Sequence, residues 1–387
     1  MTRQEDAVRT MLAARTGTAA GDWFLVHKAR YGMQVVFAAL ADLRGSGDVV
    51  TQVFTCCTAV DPILVAGLRP VYAEVSPDSV AIDPERLELR DRTRAVVLQN
   101  TFGIVDEARA VRLRERVAAV GALLVEDSAH CVGRLARDDD GTPVADVSIH
   151  SFGVEKMLPT RFGGAVWVSP ELGDRVLRDR LVADLLALRP AGRRQDLAAR
   201  LYLNQVRVLN RLPGAVARPV RAALTAARLF DPAIAPVERR GGLAARASGP
   251  SPWVLGRLEV ALPSLPEVEA RRSAAVAEYV RTLSGHVQVP AEVGEGAPLV
   301  RFPFFAPDAA TAERVFGAVT DAGFYAGRWY RPALFPGVED PAVYGYTPGD
   351  GTLATTEDLI ARVVNLPTGV DVAQARRIAD VVLSAIG

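Results

Sequence analysis

From about residue 30 onward the apolar positions of this chain switch between two rhythms. Apolar residues three to four apart predict helices over 32–43, 58–66 and 107–120, closed by Gly45, Gly67 and Gly121. Short runs rich in Val, Ile, Leu and Ala predict strands over 48–53, 70–75, 94–98, 122–125, 147–150 and 165–168. Strands alternating with helices predict an α/β fold: a mostly parallel sheet with helices on both faces. In such sheets ligands sit beyond the carboxyl ends of the strands. Asp127, Ser151 and Lys156 each follow a strand, so a site is expected there.

The pattern divides the chain. Residues 1–25 read as an N-terminal arm with a short amphipathic helix over 4–15. Residues 26–262 read as a large α/β domain, and 263–387 as a smaller C-terminal α+β domain entered through a long helix over 265–283. Inside the large domain, residues 171–247 form an arginine-rich helical insertion broken at Pro190, Pro213, Pro219 and Pro232. Asp174, Asp179, Asp184 and Asp196 are interspersed in it. A solvated or subunit-packing face is therefore expected in preference to one that binds an anionic substrate or a membrane surface.

Composition narrows the function. Hydrophobic content of 49% supports a large buried core. A formal net charge of zero argues against a general nucleic-acid binder. Three cysteines, two of them adjacent (Cys56 and Cys57), make no disulfide framework and point to a reducing compartment. The charged start, Met-Thr-Arg-Gln-Glu-Asp, lacks an apolar signal core, and no apolar run is long enough to span a membrane. A cytoplasmic protein is expected, with no metal site. The most telling count is lysine: Lys28 and Lys156 are the only two, beside 43 arginines. An arginine stays protonated at any workable pH, whereas a lysine amine can lose its proton and form a Schiff base. Lys28, just before a helix, reads as ordinary surface charge.

Taken singly, Asp127 reads as a cap or a salt-bridge partner, Lys156 as surface charge and Ser151 as a loop hydroxyl. Together they form one ordered pattern. A strand delivers Glu126-Asp127-Ser128-Ala129-His130. About twenty residues later comes Ser151-Phe152-Gly153-Val154-Glu155-Lys156, followed by Gly163-Gly164 and a strand. This pattern, supported by Tyr31-Gly32-Met33, Phe54-Thr55, Ile82-Asp83-Pro84 and Asn365-Leu366-Pro367, resembles the DegT/DnrJ/StrS sugar aminotransferases, which are fold type I pyridoxal-phosphate enzymes.

The resemblance implies a seven-stranded-type sheet, pyridoxal 5′-phosphate as cofactor and Lys156 as its Schiff-base lysine and proton carrier. It implies Asp127 on the pyridine nitrogen, and Ser151 with the start of a helix near Gly32 on the phosphate. It further implies an amino acid donor such as glutamate, a keto sugar as acceptor, and a homodimer. Three positions depart from the family pattern. Met33 replaces a hydroxyl residue, leaving only its backbone amide for phosphate. Cys56 replaces the aromatic residue stacked on the cofactor. His130 replaces a glutamine, and is either a cofactor-contacting group with proton-transfer capacity or a structural histidine. Residues 247–253 do not show the motif that reaches the neighbouring subunit. Arg328 and Arg331 are candidates for a substrate carboxylate or phosphate, or else surface residues. Other pyridoxal-phosphate chemistry (elimination, replacement, decarboxylation) and a non-catalytic regulatory relative remain as alternatives.

Overall fold

A computed structural model describes residues 2–387. Its central sheet contains β1 (Trp23–Val26), β2 (Asp48–Thr51), β3 (Arg69–Tyr72), β4 (Thr93–Gln99), β5 (Leu123–Ser128), β6 (Val147–Ser151) and β7 (Gly164–Val168). The spatial order is β1-β7-β6-β5-β4-β2-β3. β7 runs antiparallel to both β1 and β6, and the other neighbours are parallel. The mostly parallel α/β sheet expected from the alternation is therefore present. β1 lies in the stretch read as an arm. Its Trp-Phe-Leu-Val run is buried on both faces, so it shows no alternation to mark it as a strand.

The helices of this part are α1 (Arg3–Thr16), α2 (Ala29–Arg44), α3 (Cys57–Val65), α4 (Glu107–Ala119), α5 (Arg175–Leu186), α6 (Arg193–Leu209), α7 (Gly214–Ala226), α8 (Pro252–Ala261) and α9 (Leu265–Leu283). One face of the sheet packs on α2 and α5, where Val36 and Leu40 meet Val125, Ile149 and Val166. The other face packs Val96, Leu98 and Leu124 on Leu113 and Val117 of α4. α1 and α8 share a third core around Leu12, Trp23, Val254 and Leu258. The C-terminal part has a two-stranded antiparallel sheet of β8 (Arg301–Phe305) and β9 (Val363–Pro367). It is covered by α9, α10 (Ala309–Asp321) and α12 (Val372–Ile386), with α11 (Ala354–Arg362) leading into β9.

Helix α2 opens at Ala29, three residues before the expected start near Gly32. Lys28 is its extended N-terminal residue, and the Tyr31 amide donates to the Lys28 carbonyl at 2.9 Å. The first turn, Ala29-Arg30-Tyr31-Gly32, carries no aliphatic side chain larger than alanine, so the apolar rhythm shows only after it. Gly32 itself lies against the sheet. A Cβ there would sit 2.4 Å from Val166 Cγ2, closer than any real contact. Alanine has better helix propensity than glycine by about 1 kcal/mol, but overpacking typically costs roughly 1–3 kcal/mol. Gly32→Ala is expected to lower stability by ~1–2 kcal/mol, and by less in a Val166→Ala background. Chemical denaturation of the four proteins in that cycle measures the coupling.

Candidate active site

A cavity of about 520 Å³ opens beyond the carboxyl ends of β4, β5 and β6. Its floor is the first turn of α2, and Tyr202 of α6 and the stretch 325–335 close its sides. Asp127, His130, Ser151, Lys156, Met33 and Cys56 all line it.

Alternation along β5 decides what its two carboxylates do. Leu123 and Val125 face α2, and Leu124 faces α4. Glu126 therefore turns to the α4 side and Asp127 to the cavity. Glu126 is saturated by Ser148 Oγ at 2.6 Å, the Ala136 amide at 2.8 Å and Asn100 Nδ2 at 2.9 Å. It is a structural group. Asp127 is also buried but, among the described residues, accepts only the Ala129 amide, at 3.0 Å. Burial pushes its carboxyl above the usual range, against the opposing pull of that amide and of Lys156. A deep carboxylate with spare acceptor capacity facing a cavity is a seat for a positively charged or N–H-bearing group.

Lys156 lies in the loop between β6 and β7, with Nζ 5.0 Å from the centre of the Trp329 ring. Burial lowers its pKa, while the negative charges of Cys56, Asp127 and Glu155 oppose that shift. The amine fraction at neutral pH is thereby raised above that of an ordinary lysine. The ring of His130 stacks on Trp329 at 5.0 Å and 6°. Its Nδ1 accepts the Phe102 amide at 2.9 Å, which places the proton on Nε2, 3.1 Å from the Tyr330 hydroxyl. Burial, then the charges of Lys156 and Arg301, hold its pKa well below the usual value. The ring is thus a neutral donor. Cys56 caps α3, with Sγ 3.1 Å from Thr58 Oγ1. A hydrogen bond from the Cys57 thiol lowers the Cys56 pKa, with a smaller contribution from Thr58.

The opposite end of the cavity presents hydrogen-bond donors. Ser151 Oγ accepts the Gly153 amide at 3.3 Å, which leaves its own O–H free to donate. Beside it lies the α2 N-terminus, where the Ala29 and Arg30 amides precede the first intrahelical bonds and the helix dipole is positive. Gly164 allows this approach, since a Cβ there would lie 2.8 Å from the Ala29 nitrogen. Lys28 is buried, not on the surface as expected. Its Nζ is 2.6 Å from Asp231 Oδ1 and 3.3 Å from the Pro232 carbonyl. Arg30 pairs with Glu238 at 2.5 Å. The segment 231–238 therefore neutralises both cations and leaves the amides and Ser151 as the uncommitted donors.

Three sequence candidates fall outside the lining. Gly32 serves helix–sheet packing, as described above. Arg328 makes a two-point pair with Glu313 at 2.7 and 2.8 Å and lies over Phe316. Arg331 shares Glu313 at 3.2 Å. The cavity takes the aromatic pair between those arginines instead, Trp329 and Tyr330. Arg30, Tyr202 and Asp231 are further lining residues that the sequence did not single out. Of these, only Arg30 carried a signal, as the polar position just ahead of the apolar helix.

The sequence pattern of the DegT/DnrJ/EryC1/StrS aminotransferases matches residues 26–203, a stretch that includes Asp127, Ser151 and Lys156. Over that stretch, a little under half of its length, the chain is similar to this family. It is 26% identical over 136 residues to GDP-perosamine synthase from Vibrio cholerae. It is 30% identical over 142 residues to dTDP-4-dehydro-2,3,6-trideoxy-D-glucose 4-aminotransferase from Saccharopolyspora spinosa. Each alignment covers 35% of this chain and 36% of the relative's length. Its fold is that of the aminotransferase TlmJ from Streptoalloteichus hindustanus, with a TM-score of 0.68 at 21% identity over 99% of this chain and 91% of that one.

Pyridoxal 5′-phosphate, the cofactor of DegT/DnrJ/EryC1/StrS aminotransferases, fits the donor set of this cavity. Asp127 offers an under-bonded carboxylate for a pyridine nitrogen, Lys156 an amine for an aldehyde, and Ser151 with the Ala29 and Arg30 amides a seat for a phosphate. Trp329 supplies aromatic surface to this cavity, which Cys56 also lines.

Three histidines are kept neutral by burial. The pKa values of His27 and His150 are held at about 4, and that of His130 well below its ordinary value. Protons that would bind these rings at pH 6 in an unfolded chain are refused in the folded one. NMR of the imidazole C2–H groups is expected to show no titration of His27, His130 or His150 between pH 8 and about 5.5. A midpoint near the unperturbed histidine value for His130 would contradict its assignment as a fixed neutral donor.

Proposed function

We propose that this chain is a pyridoxal-phosphate-dependent aminotransferase that passes an amino group from an amino acid, glutamate foremost, to a keto sugar or a related ketone. The observation that carries this reading is the convergence of Asp127, Ser151 and Lys156 on one cavity. Bound there, the cofactor supplies an aldehyde that condenses with amines and a ring that accepts the electrons of a deprotonated carbon. Asp127 holds a proton at the ring nitrogen, where its depth makes the charge pairing strong. Ser151 and the first amides of α2 hold the phosphate. His130, stacked on Trp329 and fixed as a donor, orients an oxygen through Nε2–H. Lys156, with its pKa lowered, takes up and returns the proton of the reacting carbon.

Nucleotide-linked sugars appear in the names of both curated relatives, which supports a nucleotide-linked keto sugar as acceptor. The proposal extends to a homodimer in the cytoplasm, in keeping with the family resemblance and three free cysteines. Cys56, a thiol where the family has an aromatic ring, favours one second reading: elimination, replacement or decarboxylation at the same site.

Protein loaded with pyridoxal phosphate is expected to gain a visible absorption band that bleaches with glutamate and returns with a keto acid acceptor. Lys156→Ala and Lys156→Arg should lack the band, and turnover should fall by at least ~10²-fold. A band that a panel of amino acids leaves unchanged would reject transamination with those donors. Product formed without amine transfer would select the second reading.

A further inference from the structure

The helical insertion has a face that nothing among the described residues covers. α6 buries Ala198, Ala199, Tyr202 and Leu209 on one side. Tyr202 and Val206 of that side line the cavity. On the opposite side Leu197, Leu201 and Val208 recur at spacings of four and seven residues and form an exposed stripe, 42%, 39% and 57% accessible. α7 continues it. No residue of α7 is buried, and the arc carrying Ala215, Val216, Pro219, Val220 and Ala223 holds no charge and faces solvent. Arg218 and Arg221 flank that arc, as Arg193, Arg194 and Arg200 flank the stripe on α6.

The charge of this hairpin is one-sided. Residues 193–228 contain eight arginines, all exposed, and one acid, Asp196. Asp196 is already taken by Arg200 at 2.7 Å and the Trp253 amide at 3.0 Å. Among the described residues, Arg200 is the only one of the eight with a carboxylate partner. The other three aspartates that made a solvated face the expectation lie elsewhere. Asp174, Asp179 and Asp184 belong to α5 and its cap, where Asp174 pairs with Arg44 and Asp184 with Arg180.

We infer that the α6–α7 hairpin is a docking surface for an anionic lipid bilayer. An apolar helical face rimmed by arginines is the arrangement that inserts shallowly among acyl chains while its cations meet lipid phosphates. A symmetric contact with a second copy would set two such arginine sets against each other. Nucleic acid would leave the apolar arc unused, and the hairpin's one aromatic residue, Tyr202, is buried and offers no stacking surface. The bilayer lies on one side of α6 and the cavity on the other. Docking therefore places the cavity wall one helix thickness from the membrane.

The test is co-sedimentation of the purified full chain with phosphatidylcholine vesicles, with and without phosphatidylglycerol, over a salt series. Anionic vesicles are expected to carry down ~10-fold more protein than neutral ones, with the excess lost at high salt. Val216→Asp/Val220→Asp should abolish binding. Arg207→Gln/Arg218→Gln should weaken it and flatten its salt dependence, and decides the matter if the first variant does not fold. Equal or absent sedimentation with the two vesicle types overturns the inference. So does light scattering in which Val216→Asp/Val220→Asp splits a self-associated species while wild type ignores vesicles, because the face then belongs to a second copy. The assay reads no catalysis, so its outcome is independent of the proposed activity.

Discussion

The site depends on how closely α2 lies on the sheet. Two side chains are missing at that contact. Gly32 faces Val166, and Gly164 faces the Ala29 nitrogen, and in each place a Cβ would fall inside van der Waals contact. Glycine inside a helix normally costs stability, so its presence at position 32 answers a packing demand. With both Cβ atoms absent, the helix start reaches the carboxyl ends of β5 and β6. The positive end of a 16-residue helix then shares a cavity with Ser151 at one end and Asp127 at another. An anion and a ring nitrogen of one ligand could be met at once. Neither the helix dipole nor the carboxylate would supply that selectivity alone.

The chemistry rests on under-satisfaction as much as on contact. Adjacent carboxylates on β5 are both deep, yet Glu126 has three donors and Asp127 one. The first therefore stabilises the sheet, and the second keeps capacity for a ligand. A similar division holds for the cations. Lys28 and Arg30 are occupied by Asp231 and Glu238, whereas Lys156 has only the face of Trp329 and the more distant charges around it. Desolvation without a tight partner is what lowers a lysine pKa. The lysine suited to amine chemistry is thus the one the fold leaves unpaired.

Much of this could be read from the chain because Asp127, Ser151 and Lys156 come from consecutive strand ends. Their order in sequence is their order in space, and the strands that carry them are marked by apolar runs. What escaped the sequence came from elsewhere. Trp329 and Tyr330 reach the cavity from the C-terminal part, and the neighbouring arginines drew attention because charge looks chemical in one dimension. In three dimensions Glu313 absorbs both. The start of α2 was misplaced because its first turn faces the cavity and lacks apolar spacing. Lys28 read as surface charge because its partner, Asp231, is some two hundred residues away.

The arginine-rich insertion shows the same limit from the other side. Acidic residues scattered through 171–247 suggested a balanced, solvated surface, but folding sorts them. α5 keeps Asp174 and Asp184 and matches them to arginines, and the hairpin beyond it keeps eight arginines and one occupied acid. Only this sorting exposes a face both apolar and cationic. α6 is then shared between two demands. Its inner residues close the cavity, and its outer residues meet no other described part of this chain. A helix serving only as a cavity wall would need nothing but polar residues outside. Leu197, Leu201 and Val208 add nothing to the core there, and their place on one arginine-rimmed stripe is what an anionic bilayer would bury.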